Sequence, residues 1–124
     1  VFDVNRAWAT AHPGAVEDFL RATFEAFHYC VSHAQTCVGD AAKYEAGYNV
    51  HQNVQRWQIE SGIVLRTLPA GRGVGYEDVA QWEPEYQLLL QYRLVKGPVN
   101  LTGILNPSYV DAIYQGRSLI WPGP

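Results

Sequence analysis

The apolar positions between Trp8 and Val31 predict one long helix around which the rest of the chain packs. They recur at steps of three and four, which places them on a single helical face. Pro13 suits the first helical position, because its missing N–H would have no partner there. Glu17 and Asp18 are predicted to follow in the first turn, where the helix dipole favours negative charge. The residues of the predicted packing face are Val16, Leu20, Thr23, Phe24, Phe27 and Val31.

The segments that flank this helix predict short elements. Val1–Val4 alternates apolar and acidic residues as a short strand does, and Asn5 can then cap a short helix over Arg6–Ala11. A further helix is predicted over Cys37–Tyr48, and Gly47 marks its end.

Two more helices are predicted in the second half of the chain. Asn49 caps a helix over Val50–Leu68, although the β-branched pair at 63 and 64 would also suit a strand. Tyr76–Leu94 has helical spacing, with Pro84 expected to kink or split it. Its predicted packing side consists of Val79, Trp82, Tyr86, Leu89, Leu90 and Leu94.

Glycine and proline indicate loops and helix starts in the remaining segments. Residues 69–75 predict a loop, and its alternating glycines favour a flexible connection over a phosphate cradle, since no strand precedes them and no Lys-Ser/Thr follows. Asn106 is predicted to cap a short helix that Pro107 opens. The tail over 115–124 is predicted to be extended.

Length and composition predict one domain, and the residue pattern described above makes it mainly α, with five to six helices and a short N-terminal strand. With 124 residues and 48% hydrophobic content the chain can bury a core. Its net charge is -3 and it lacks a basic stripe, so nucleic acid is not an expected partner.

Cys30 and Cys37 lie seven positions apart across a predicted helix end. They could form a disulfide, which would stabilise the fold by about 2 kcal/mol through loop closure and would indicate an oxidising compartment. Two buried thiols are an equally good interpretation. A zinc site is less favoured, because His28 and His33 do not supply the usual paired ligand spacing.

The order of these motifs resembles a known family, the NMT1/THI5-like substrate-binding proteins of ABC importers. A strand that leads into a short helix, followed by AWATAHPGAVEDFLRATFEAFHY, is similar to one segment of that family. Its closing pattern is similar to ESGIVLRTL, GRGVGYEDVAQW and LLLQYRLVKGPVNLTGILNPSYVDAIY, so that the resemblance covers about Val1–Tyr114. The matching positions of the first segment are Trp8, Ala9, His12, Pro13, Val16, Phe19, Leu20, Ala22 and Ala26.

The resemblance implies a place within a larger fold. Members of the family are two-lobed α/β proteins of the periplasmic type II kind, and this chain corresponds to their C-terminal part. Its lack of Met and its abrupt start agree with an upstream portion having been removed. Helix faces left uncovered would then be expected to contact an upstream lobe or a second copy of the chain.

The function implied by the resemblance is solute capture in the periplasm or outside the cell, with a lipoprotein anchor as one option. The ligand would be a small organic molecule such as a thiamine precursor, a riboflavin-like heterocycle or a sulfonate, delivered to an ABC permease without any cofactor. Binding would combine aromatic stacking with a few polar groups. The candidate ligand-binding residues are Asn5, Trp8, Trp57, Glu60 and Trp82. Core packing is the commoner role of each Trp, and an ion pair with a neighbouring helix is the commoner role of Glu60.

Two other classes of function are alternatives to solute capture, an enzyme and a protein-interaction module. Relatives that make the thiamine pyrimidine carry a CCCFC iron motif, which this sequence lacks, and no hydrolase, zinc-protease or Walker motif is present. An enzyme is therefore not expected. A helical module for protein interaction or dimerisation, without ligand binding, is the main alternative.

Overall fold

The computed structural model describes residues 2–123, which are mainly helical as the sequence predicts. One 3₁₀ turn, Ala42–Tyr44, lies between the third and fourth helices, and another, Leu101–Gly103, lies between the fifth and sixth. No helix within the described residues combines the length and the apolar character needed to cross a membrane. The elements are α1 (Arg6–Ala11), α2 (Pro13–Ser32), α3 (Ala34–Ala41), α4 (Val50–Thr67), α5 (Val79–Gln91), α6 (Ser108–Ala112), β1 (Tyr114–Gln115) and β2 (Ser118–Leu119).

The main core lies on the predicted face of α2. Leu20 and Phe24 are buried there and form a cluster with Val110 and Ile113, which belong to α6 and its end, and with Val74 from the glycine-rich loop. Accordingly α2 packs against α6 and β2. The prediction that the other segments pack around this helix is confirmed for α1, α3, α6 and β2, whereas α5 packs mainly against the turn at Leu101–Gly103.

The predicted N-terminal strand is wrong for the part of it that the structure describes. Residues 2–5 are irregular, and Val1 lies outside the described residues. Phe2 packs edge-on against Phe19 with ring centroids 5.3 Å apart, so its apolar character serves ring packing instead of strand pairing. Asn5 caps α1 as predicted, because its side-chain oxygen accepts the N–H of Trp8 at 3.0 Å.

The acidic pair of α2 lies one turn later than predicted. Because α2 begins at Pro13, its first turn contains no acidic residue. Glu17 and Asp18 instead accept hydrogen bonds from Arg21, at 3.3 and 2.8 Å, and the Arg21 side chain is only 7% exposed. The two carboxylates therefore neutralise a buried guanidinium, which would be costly to bury unpaired.

The helix that follows α2 begins earlier and ends earlier than predicted. The predicted range was 37–48, whereas α3 spans Ala34–Ala41 and the chain then enters a 3₁₀ turn. Gly47 adopts a positive φ of 79°, which a glycine accepts without the steric cost of a side chain. Asn49 caps α4 by accepting the N–H of Gln52 at 3.0 Å, as predicted.

A disulfide joins α2 to α3. Cys30 and Cys37 are bonded, with Cα atoms 5.7 Å apart, so the bond spans the corner between the two helices. The carbonyl of Cys30 also accepts a hydrogen bond from Nε1 of Trp57 at 2.9 Å. The corner therefore holds α4 in place as well.

Removing the disulfide is expected to destabilise the protein moderately. The double substitution Cys30→Ser with Cys37→Ser should lower the free energy of unfolding by about 2 kcal/mol, because the unfolded chain regains the freedom of a short loop. Urea denaturation of the variant and of the wild type measures the difference. Equal midpoints for the two proteins under oxidising conditions would contradict the expectation.

The glycine-rich loop packs into the core instead of forming a flexible connection. A Cβ atom on Gly73 would overlap the ring of Tyr114, and one on Gly75 would overlap the ring of Phe24. Gly75 also has a φ of 87°, a region that side chains disfavour. The loop prediction is correct in its position, but Gly73 and Gly75 allow close packing instead of flexibility.

The helix after this loop is shorter than predicted. Asp78 and Gln81 form a reciprocal capping box, so α5 begins at Val79 instead of at Tyr76. Pro84 lies inside α5 without ending it. The helix ends at Gln91, and Arg93 follows with a φ of 56°.

The C-terminal segment forms a short hairpin. The side chain of Asn106 accepts the N–H of Ser108 at 3.1 Å, and α6 begins at Ser108, one residue after the predicted Pro107. The predicted extended tail begins inside an antiparallel pair of β1 and β2, with Tyr114 opposite Leu119, and Pro124 lies outside the described residues.

Tyr114 should make stability depend on pH in alkaline solution. Burial raises the pKa of Tyr114 to about 12, against a weaker opposing effect of a hydrogen bond with the backbone of Val74. The folded state therefore holds the phenolic proton more tightly than the unfolded state, and the full shift would correspond to roughly 2 kcal/mol between about pH 10 and about pH 12. Because Tyr114 is only partly buried and solvent screens part of the effect, stability should fall by about 1 kcal/mol as pH rises from about 10 to about 12. Unfolding midpoints across this range, for wild type and Tyr114→Phe, isolate the effect. A parallel decline in both proteins would contradict it.

Candidate functional site

An open cleft of about 600 Å³ lies between α3, the turn that follows it, and α4. Val38 and the ring of Trp57 supply its apolar lining. Tyr48, Asn53 and Arg56 are among the polar residues around it. The cleft is therefore wide and mostly polar, unlike the enclosed apolar pockets in which small organic ligands are usually buried.

Two of the predicted ligand-binding residues, Trp57 and Glu60, line this cleft. The Trp57 ring packs edge-on against Phe27, with centroids 5.4 Å apart, and its N–H is donated to the backbone. Glu60 accepts a hydrogen bond from Nε of Arg56 at 2.7 Å, one turn earlier on the same helix. Both side chains of this pair are exposed, and the hydrogen bond and the charge of Glu60 raise the pKa of Arg56.

The other three predicted residues lie elsewhere. Asn5 uses its side-chain oxygen to cap α1, and the half-exposed Trp8 lies against His12 with ring centroids 5.0 Å apart. Trp82, on α5, donates its ring N–H to the carboxylate of Glu77 at 3.1 Å. The described part of the chain therefore does not bring the five predicted residues into one site.

The structure also bears on metal binding. Within residues 2–123, no group of three or more His, Cys, Asp or Glu side chains is placed to hold a metal ion. Both cysteines are in the disulfide.

Besides the cleft, the structure has exposed apolar side chains on α4 and α5. Ile59, on the outer side of α4, is 63% exposed, and Ile63 lies beside it one turn later. The larger group follows α5 and its end, where α5 itself packs mainly against the turn at Leu101–Gly103. We call this group the α5 patch; it consists of Leu88, Leu89, Tyr92 and Leu94.

The total exposed area is large for the mass of the chain. The accessible surface is 8819 Å² for 13.9 kDa. A compact monomer of this mass would expose about 6,700 Å², so the excess is roughly 2,100 Å². Monomeric proteins rarely expose large contiguous apolar patches, and such patches often mark interaction sites.

The exposure of the α5 patch differs from the prediction, because helical spacing assigned Leu89 and Leu94 to a packing side. In the structure Tyr86 occupies the buried side, while its hydroxyl accepts the N–H of Val99. The signal was present in the sequence. Leu88, Leu89 and Leu90 are consecutive and therefore span more than one helical face, and Tyr92 follows Leu88 by one turn.

Comparison with known proteins adds no family to this description. No family model matches the chain, and no curated protein or solved structure is significantly similar to it.

Proposed function

We propose that the chain is a helical protein-interaction module whose exposed apolar surface on α4 and α5 is covered by another polypeptide. The observation that carries this proposal is the set of exposed apolar side chains on these helices, among which Leu88, Tyr92 and Leu94 of the α5 patch are each more than half exposed. The chain as a whole also exposes roughly 2,100 Å² more than a compact monomer of equal mass, while a standard interface buries about 800 Å² on each partner.

The architecture near the surface supports the same proposal. The disulfide and the hydrogen bond from Trp57 fix α4 against the α2–α3 corner. The capping box fixes the start of α5. Rigid helices present apolar side chains to a partner with little loss of conformational entropy on binding.

Solute capture, delivered to an ABC permease, is the second candidate. The observation that favours it is the cleft between α3 and α4, in which Trp57 offers part of a ring face and Arg56 with Glu60 offers charge. A sulfonate or a small heterocycle with polar edges would suit such a lining. An upstream lobe would then be the polypeptide that closes the cleft.

Thermal shift and sedimentation velocity together separate the two candidates. The interaction module predicts melting temperatures that do not respond to a panel of vitamins, heterocycles and sulfonates, and, where the partner is a second copy, association that grows with protein concentration. A monomer at every concentration, stabilised by several degrees by one of these solutes, would overturn the interaction proposal and favour capture.

A further inference from the structure

The charge pattern around the α5 patch identifies the partner that it fits. We infer that the patch binds a second copy of this chain, with the two α5 helices antiparallel about a twofold axis near Leu89. The inference rests on the proposed function, and it adds the partner, the helix and the register.

The exposed apolar residues are placed for a helix-to-helix contact. Leu88 is 53% exposed and Tyr92 is 68% exposed, and they occupy consecutive turns of one face. Leu89 lies beside them, and Leu94 follows the last turn with 71% of its surface exposed. Together they form a continuous apolar strip at the centre and the C-terminal end of α5.

Acidic and basic residues flank this strip on opposite sides along the helix. Glu83 and Glu85 precede the apolar residues, whereas Arg93 lies between Tyr92 and Leu94 at the C-terminal end and Lys96 follows. Glu85 lies four positions before Leu89, about 6 Å along the helix axis, and Arg93 lies four positions after it, just beyond the end of α5. A twofold axis through Leu89 therefore places Glu85 of each copy opposite Arg93 of the other copy.

A parallel arrangement would bring like charges together instead. Acidic ends would lie side by side at one end and basic ends at the other, which is destabilising. Among the described residues, neither Glu85 nor Arg93 takes part in an intramolecular ion pair. Both charges are therefore available for an interface.

The backbone at the end of α5 also favours a role for Arg93 beyond ending the helix. The N–H of Leu94 is donated to the carbonyl of Leu89, and that of Arg93 to Leu90, the pattern of a Schellman motif. Glycine is the usual residue at the left-handed position of this motif, yet Arg93 occupies it with a φ of 56°. A positive charge is thus held at the position where the second copy would present Glu85.

A charge exchange tests the register. Sedimentation equilibrium in low salt should give a dimer for the wild type, and dissociation constants at least about tenfold higher for Glu85→Arg and for Arg93→Glu. The double variant carries both exchanged charges on each copy, so its dissociation constant should return to within about threefold of the wild type. Circular dichroism of each variant shows whether it remains folded.

Two apolar substitutions of similar exposure supply the matched control. Leu88→Gln should raise the dissociation constant by at least about tenfold, whereas Ile59→Gln on α4 should change it by less than about twofold. A wild type that stays monomeric at about 500 µM, or a double variant no better than the single ones, would overturn the inference. A dimer that survives Leu88→Gln and is lost with Ile59→Gln would overturn it while leaving the proposed function standing. Monomers stabilised by a small solute would overturn both.

Discussion

Replacing Gly75 with alanine is expected to lower the free energy of unfolding by about 4 kcal/mol, a large part of the stability of a domain this size. The methyl group would overlap the Phe24 ring, which lies at the centre of the α2 core. Overpacking of this kind costs about 1–3 kcal/mol, and a side chain at positive φ costs about 1–2 kcal/mol more. Both penalties fall on one residue.

Two other glycines of the same loop separate these penalties. Gly71 has a φ of 74° with open space around it, so Gly71→Ala should cost only about 1 kcal/mol. A methyl group on Gly73 would overlap the Tyr114 ring, but its φ is not positive, so Gly73→Ala should cost about 2–3 kcal/mol. Urea denaturation of the three variants should therefore rank them in the order 71, 73, 75. A Gly75→Ala variant as stable as Gly71→Ala would show that the loop does not pack on Phe24.

Truncation of Ile113 is expected to have the second largest effect. This side chain is 0% exposed and belongs to the cluster that joins α6 to α2. Ile113→Ala should lower the free energy of unfolding by about 3 kcal/mol, because burial is lost and a cavity remains. Thermal or urea denaturation of the purified variant measures the loss.

Ile104→Ala is the matched control for that truncation. Ile104 lies nine residues earlier and is largely exposed, so the same change should cost less than about 1 kcal/mol. Equal losses at the two positions would contradict the placement of the core around Ile113.

Much of the helical framework could be predicted because its signals are local. The spacing of Leu20 and Phe24 identifies the inner face of α2, and Asn5 and Asn49 show their capping role in the sequence itself. Each signal depends on residues within a few positions of one another, where helix geometry fixes which side chains meet.

Features that depend on distant residues could not be predicted in this way. Gly73 and Gly75 have the pattern of a flexible loop, and only their contacts with Tyr114 and Phe24 show that they allow close packing. The N-terminal residues alternate as a strand does, but a strand requires a partner, and Phe2 instead packs against a ring.

Of the candidate ligand-binding residues, only those that are close in sequence lie together in the structure. Trp57 and Glu60 share a helix, and the structure places both at one cleft. Trp8 and Trp82 were grouped with them by residue type, yet they belong to α1 and α5 and do not line it. The Arg56–Glu60 pair is also local, since its members are four positions apart on one helix, although a neighbouring helix was the expected source of the partner.

Hydrogen–deuterium exchange of the wild type at two protein concentrations tests the central claim most directly. If a second copy covers the α5 patch, amides over 79–94 should exchange more slowly at about 500 µM than at about 5 µM, while those of the α2 core should not change. Identical exchange over 79–94 at both concentrations would contradict the claim that another copy of the chain completes this surface.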